Sequence, residues 1–325
     1  MGQGGGPIWS DALGTLTFDV DAAAAALATP FDLASLTKVI ATTQLILQLV
    51  DRGSVRLDER IGDSFVDWRG ADREAVTVRD LLEHASGLPA RLLDAPPAGR
   101  REFEYDIGTM PLESAPRTRS IYSDLGFILL GFLIADRGGA PLAAQFDELM
   151  ARLKLDLLTF HAGAAKSFVA PTRPLDDDPR RGRPLRGEVH DAYAAALGGA
   201  AGHAGLFGTA GAVGAFARTV LRAARGDNSA AAPLSADCVA LSTTRSAVPG
   251  SSRALGWDTM LPTSSCGTRM SPVAFGHVGF TGTSLWIDPA RERYYVLLTN
   301  RACGGGSLDE MRTVRRAFHD ALADV

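Results

Sequence analysis

Ser35 and Lys38 stand three residues apart, just ahead of an apolar run containing Val39, Ile40, Leu45, Ile46, Leu49 and Val50. On a helix that spacing places both side chains on one face, roughly 5–6 Å apart at Cβ. A serine hydroxyl is a weak nucleophile until a neighbouring base takes its proton, and a desolvated lysine can be that base. The N-terminus of a helix adds unpaired N–H groups and positive potential, both of which favour a developing oxyanion. Lysine is also scarce: of 33 basic residues only Lys38, Lys154 and Lys166 are lysines, and no serine precedes the other two at this spacing. The plainer reading is a capping serine beside a surface lysine. It fits poorly on a helix apolar around most of its circumference.

Two further stretches could serve the same chemistry. Tyr122-Ser123-Asp124 opens a second apolar run. A phenol close to an ammonium can shuttle a proton between nucleophile and leaving group. Taken alone, the stretch reads equally as a helix cap, Asp124, beside a core tyrosine. His277-Val278-Gly279-Phe280-Thr281-Gly282 lies on a predicted strand. Glycine in a strand lets a substrate or another backbone come close, and exposed strand N–H groups can complete an oxyanion hole. Taken alone it would be a bulge. No Gly-x-Ser-x-Gly is present, and the six histidines form no His-Glu-x-x-His. No metal or other cofactor is expected.

The elements that would hold these residues follow from periodicity. Leu13 to Val20 alternates like a half-buried strand, and the Ser35 helix ends at Gly53. Arg79 to Glu83 starts a short helix, stopped by Ala85-Ser-Gly-Leu-Pro89. Residues 90–118 carry four prolines and read as irregular, and residues 161–190 read as a long solvated loop that could flank a site. A glycine-dense turn from Gly198 to Gly208, holding His203, leads into a helix ending near Arg225. Phe275 to Asp288 and Arg293 to Asn300 read as adjacent strands joined by Pro289-Ala-Arg-Glu292. Ser307 and Glu310 form a capping box for a last helix whose inner face is predicted as Met311, Val314, Phe318 and Leu322.

Strands at both ends with mostly helix between them predict an α/β lobe built from both termini and an inserted helical lobe. The expected bounds are about 1–55 and 210–325 for the first lobe and about 56–209 for the second. The 325 residues, 46% hydrophobic and 22% charged, suit an ordinary globular chain. A net charge of −4 gives no basic field for nucleic acid or anionic membrane, and three scattered cysteines make no disulfide framework. The most apolar stretch, Leu125 to Ala135, is about half the ~20 residues a membrane-spanning helix needs. The N-terminus lacks the basic start and apolar core of a signal peptide, so a cytoplasmic enzyme is the expectation.

In order and at these separations, Ser35-Leu-Thr-Lys38, Tyr122-Ser-Asp124 and His277-Val-Gly279 resemble the three motifs of the penicillin-recognising serine hydrolases. The resemblance is closest to the class C β-lactamase branch, which also holds family VIII carboxylesterases and some D-amino-acid peptidases. It runs from about residue 13 to 320 and includes the flanks FDLASLTKVIATT, VRDLLEHASGLP and RSIYSDLGFILLG. It implies a mainly antiparallel sheet flanked by helices, an all-helical lobe, and a site between them. By the same resemblance Ser35 is the nucleophile, and Lys38 and Tyr122 share the general-acid and general-base roles. The oxyanion hole is then formed by the backbone N–H groups of Ser35 and Phe280. Asp124, His277, Gly279 and His203 are the expected substrate-side residues, with a structural role equally open for His203.

Three departures from the family pattern matter. Asp124 stands where an asparagine is usual, and a carboxylate can only accept hydrogen bonds. His277 stands where class C lactamases usually have a lysine, so a fixed cation for a β-lactam carboxylate is missing at that position. The chain also begins inside the region where relatives carry an earlier strand, so the expectation is either a sheet lacking one edge or a displaced gene start. The first two departures favour esters, which need neither contact. The expected function is cleavage of short-chain carboxylic esters through an acyl-enzyme on Ser35, with a small-molecule ester as partner. The alternatives are a β-lactamase or D-amino-acid peptidase and, from another class, a non-catalytic binder of peptidoglycan peptides.

Overall fold

The computed structural model describes residues 1–92, 95–161, 168–227 and 233–323. Lys166 and part of the expected 161–190 loop lie outside the described residues. The strands are β1 (Gly2–Gln3), β2 (Gly6–Pro7), β3 (Phe31–Asp32), β4 (Leu158–Thr159), β5 (Phe207–Gly208), β6 (Asp258–Thr259), β7 (Phe275–Val278), β8 (Ser284–Asp288) and β9 (Arg293–Leu297). The helices are α1 (Thr43–Asp51), α2 (Val78–Leu82), α3 (Arg100–Thr109), α4 (Asp124–Gly138) and α5 (Leu142–Leu153). They continue with α6 (Ala192–Ala196), α7 (Ala210–Ala224), α8 (Ala236–Thr243), α9 (Arg301–Gly304) and α10 (Leu308–Leu322). A π-helical stretch, Lys38–Thr42, leads directly into α1.

The main sheet is antiparallel in the order β2-β1-β9-β8-β7-β6. Two strands at one edge, β2 and β1, come from the first seven residues, and β6 forms the other edge. Gly2 pairs with Tyr294, so close to that ring that a Cβ on Gly2 would fall 2.2 Å from the phenol oxygen. Leu13 to Val20 is therefore not the strand its alternation predicts. It makes only a single bridge, Thr15 to Ala24, and Leu13, Phe18 and Val20 stay exposed. With β1 paired to β9 at that edge, the segment has no ladder to join.

A second sheet, β3-β5-β4, sits under the nucleophile segment. It adds two short strands, β4 and β5, to a region the sequence predicts as helical. Residues 100–109 form α3 where the prolines suggest irregular chain; the prolines fall outside the helix, at Pro97 and Pro111, where they bound it rather than break it. The stretch Phe275 to Asp288 is two strands, with Gly279–Thr283 as the turn between them. In α10 the buried face is Met311, Arg315 and His319, whereas Val314 is half exposed. The four-residue step of an α-helix puts an arginine and a histidine against the sheet where an apolar face is predicted.

The segment from Leu36 through α1 is buried almost completely and packs with α4 in one large apolar core. Helix α4 ends on Gly139 in the left-handed conformation. No single described helix is long and apolar enough to cross a membrane.

Candidate active site

The nucleophile segment is held under strain. Ala34, immediately before Ser35, has φ +47°, a left-handed backbone that costs a non-glycine residue energy. Asp32 sustains it: one carboxylate oxygen accepts the Ala34 N–H at 2.8 Å and the other the His190 N–H at 2.6 Å. Burial raises the Asp32 pKa to about 6 against the pull of those two N–H groups. The turn at Ala34 presents Ser35, which is partly exposed, while Lys38 behind it is fully buried.

Ser35 Oγ receives two hydrogen bonds, from Lys38 Nζ at 3.0 Å and from Tyr122 OH at 2.8 Å. Lys38 Nζ also donates to Asp124 Oδ1 at 2.7 Å and to the His203 carbonyl at 3.0 Å. Three acceptors around one nitrogen match the three donors of an ammonium and leave no direction for a lone pair. Burial pulls the Lys38 pKa down, but the Asp124 carboxylate and Tyr122 outweigh it, and the net shift is upward. Lys38 is held as a cation.

Asp124 begins α4, where a helix N-terminus stabilises a negative charge. Its second oxygen accepts from Arg91 Nη1 at 3.0 Å, and Arg91 also donates to Asp191 at 2.9 Å while lying 4.1 Å over the Tyr193 ring. Asp191 in turn meets His203 Nε2 at 2.7 Å and caps α6. Burial would raise the Asp191 pKa, yet His203 and Arg91 hold it well below the usual carboxylate range. Charges thus alternate from Lys38 through Asp124 and Arg91 to Asp191.

The structure brings Ser35, Lys38, Tyr122 and Asp124 together and separates the remaining expected residues by role. Both oxygens of Asp124 are occupied within the protein, so it faces Lys38 and Arg91 rather than a substrate. His203 contributes its carbonyl to Lys38; its imidazole is 1% exposed and turned onto Asp191. His277 is 2% exposed, with Nδ1 on the Val278 carbonyl and Nε2 3.4 Å from Arg253. Burial, then Arg253 and Lys38, push its pKa well below the usual value, so it is a neutral spacer beneath Tyr122. All three side chains expected on the substrate side are engaged within the protein, and for His203 this is the structural role the sequence left open.

Gly279 acts by its size. A Cβ there would lie 2.6 Å from the Leu33 carbonyl and 3.2 Å from Ala34 Cβ. The 279–283 turn therefore lies against the nucleophile segment, tied by Thr281 to the Asp32 carbonyl at 2.7 Å and by Thr283 to the Leu33 carbonyl at 3.0 Å. Neither the Ser35 nor the Phe280 N–H has an acceptor among the described residues. Two free amides on adjoining segments suit an oxyanion.

Sequence reasoning missed three arginines and one acid. Arg91 and Asp191 come from loops, and Arg253 lies 5.0 Å over the Tyr122 ring. Arg253 is half-buried and makes no ion pair among the described residues. Arg315 reaches the 279–283 turn from α10. Only the shortage of lysine hinted that arginine would fill such places.

Residues 5–319 match the Beta-lactamase protein family, and the chain belongs to it. A provisionally named D-alanyl-D-alanine carboxypeptidase of Escherichia coli K12 is 32% identical over 84% of this chain and 69% of its own length. Among solved structures, a class C β-lactamase from Rhodobacter sphaeroides aligns over 95% of this chain and 89% of its own, with TM-score 0.71 and 20% identity. The hydrolase EstCE1, titled for promiscuous acyltransferase activity, aligns over 98% and 91%, with TM-score 0.73 and 20% identity. The fold is that of the β-lactamases and penicillin-binding protein homologues, and the protein is a serine hydrolase of that family.

Proposed function

We propose that this hydrolase cleaves short-chain carboxylic esters through an acyl-enzyme on Ser35. The observation that carries the reading is the pair of hydrogen bonds on Ser35 Oγ, one from a lysine held as a cation and one from a phenol. With Lys38 keeping its three protons, the base is the phenolate of Tyr122, formed by loss of the phenol proton to solvent, and it takes the serine proton. The ammonium of Lys38 and the guanidinium of Arg253, 5.1 and 5.0 Å from the ring centroid, stabilise negative charge on the phenol oxygen. Ser35 Oγ then bonds to the ester carbonyl carbon, and the carbonyl oxygen takes the electron pair between the Ser35 and Phe280 N–H groups. When the carbon–alkoxide bond breaks, Tyr122 returns the proton to the leaving alcohol. Water repeats the cycle: its proton goes to Tyr122, its oxygen to the acyl carbon, and Ser35 leaves with the proton restored.

Esters are favoured because nothing at the second motif offers a side-chain amide to a substrate, Asp124 being engaged on both oxygens. Losing such a neutral amide–carbonyl hydrogen bond costs a substrate that needs it roughly 0.5–1.5 kcal/mol. A simple ester loses nothing. One observation favours a second reading, hydrolysis of peptides ending in a D-amino acid. Arg253 is a half-buried cation beside Tyr122 without a carboxylate partner among the described residues, and the Escherichia coli relative is named for such an activity. Assay of p-nitrophenyl acetate and butyrate beside a D-alanyl-D-alanine peptide and nitrocefin, with Ser35→Ala as control, separates the readings. Turnover of peptide or nitrocefin without ester cleavage would overturn the ester assignment.

A further inference from the structure

Arg315 is 4% exposed on the inner face of α10 and makes no ion pair among the described residues. A buried guanidinium without a counter-ion is costly and calls for a reason. Its Nη2 donates to the Gly279 carbonyl at 2.6 Å and to the Thr283 carbonyl at 3.0 Å, the two ends of the β7–β8 turn. Burial, with Arg301 nearby, lowers its pKa only to about 10, so it is still charged at neutral pH.

The Gly279 carbonyl belongs to the same peptide unit as the Phe280 N–H. In a trans peptide the two point in opposite directions within one plane. A guanidinium fixing the carbonyl from α10 therefore fixes the N–H on the far side. Thr281 and Thr283 tie the turn to Asp32 and Leu33, so it is held from both faces. A charged donor on a carbonyl also polarises the peptide and strengthens its N–H as a donor. The next carbonyl, that of Phe280, is held in the same way by Arg301 Nε at 2.9 Å.

We propose that Arg315 is a positioning residue for catalysis: from behind the sheet it orients and polarises the Gly279–Phe280 peptide as an oxyanion donor, and its unneutralised charge favours the negative transition state. The inference rests on the acyl-enzyme reading above. It differs from a packing role because its effect falls on the tetrahedral state and not on ground-state binding.

The test compares wild type with Arg315→Lys and Arg315→Met, each checked by circular dichroism and thermal melting. The readouts are kcat and KM for p-nitrophenyl butyrate and the affinity of an alkylboronic acid, whose serine adduct is a tetrahedral anion. Removing one oxyanion donor outright costs roughly 10²–10³ in kcat. Loosening one should cost Arg315→Met roughly 10–100-fold, with KM changed less than about threefold and boronate affinity falling in step with kcat. Arg315→Lys keeps the charge with a single compact donor and should fall between the two. If Arg315→Met does not fold, a loss in Arg315→Lys shared by kcat and boronate affinity supports the proposal. Boronate affinity unchanged in a folded variant, or a kcat loss mirrored only in KM, overturns it. Should wild type bind boronate at Ser35 yet cleave no ester, the ester assignment falls, and the boronate series still decides the role of Arg315.

Discussion

Asp124 and Lys38 meet at 2.7 Å where α4 begins, and the second oxygen of Asp124 is held by Arg91. The pair joins the two helix starts that build the site. It also helps to keep Lys38 protonated, because the carboxylate and Tyr122 together outweigh the burial that would neutralise the amine. In the family pattern an asparagine is usual at this position; here a carboxylate takes its place, and the proposed division of labour between Lys38 and Tyr122 rests on it.

Asp124→Asn leaves burial to lower the Lys38 pKa without the opposing carboxylate. Lys38 then gives up its proton at lower pH than in wild type. With the ammonium as the active form, the alkaline limb of the kcat/KM profile moves to lower pH while the acidic limb stays. Movement of the acidic limb alone would instead make Lys38 the neutral base.

Lys38→Ala and Tyr122→Phe should each lower kcat for an ester by roughly 10²–10⁴, the range for loss of a general acid or base. The apolar helices behind them are unchanged, so the circular dichroism spectrum should stay near wild type, while Lys38→Ala should melt lower because Asp124 loses its buried cation. A folded variant with near wild-type kcat removes that residue from the mechanism.

On the proposed reading, Arg253 rather than His277 would meet a substrate carboxylate. Arg253→Met should lower turnover of a substrate with a free carboxylate, relative to p-nitrophenyl butyrate, by about tenfold to a hundredfold. His277→Lys would place a cation in a buried slot beside Arg253 and near Lys38; it should lower the melting temperature and give no gain on nitrocefin. A stable His277→Lys protein with raised nitrocefin turnover would show that this position reaches the substrate.

Asp32 should leave a pH signature in stability. Its folded pKa is raised to about 6 from 3.8, so above pH 6 both states carry the charge and the folded state bears its burial cost. As pH falls from about 6 toward 3.8 the folded state takes up the proton first and gains stability, by roughly 3 kcal/mol at most. Asp32→Asn lacks this term and loses one of two N–H acceptors at every pH. The stability difference between wild type and Asp32→Asn, measured by denaturant unfolding, should therefore widen on acidification through this window. A difference that is flat from pH 7 to 4 would mean the carboxyl titrates normally.

The meeting of Ser35, Lys38 and Tyr122 was legible because the chemistry proposed for them demands particular residue types at local spacing. Ser35 and Lys38 sit one turn apart in a chain nearly without lysine, and Tyr122 directly precedes an apolar helix. The supports were not legible, for physical reasons. Arg91, Asp191 and Arg253 are spread over the sequence and meet only through loops, and arginine supplies all but three of the 33 basic residues, so no single one stands out. Val314 and Phe318 look more apolar than Arg315 and His319, yet Arg315 supplies donors for the turn and His319 a hydrogen-bond partner for Ser284 Oγ, so these two face the sheet. Alternation at Leu13 to Val20 misled because a strand forms only where a partner edge is free.

The central claim is a covalent acyl-enzyme on Ser35, and mapping the adduct by mass spectrometry tests it most directly. After incubation with a fluorophosphonate or a slowly released ester, the account predicts one adduct per chain, on the peptide holding Ser35, and none on Ser35→Ala. An adduct on Ser86, Ser123 or Ser284 with Ser35 unmodified would contradict it.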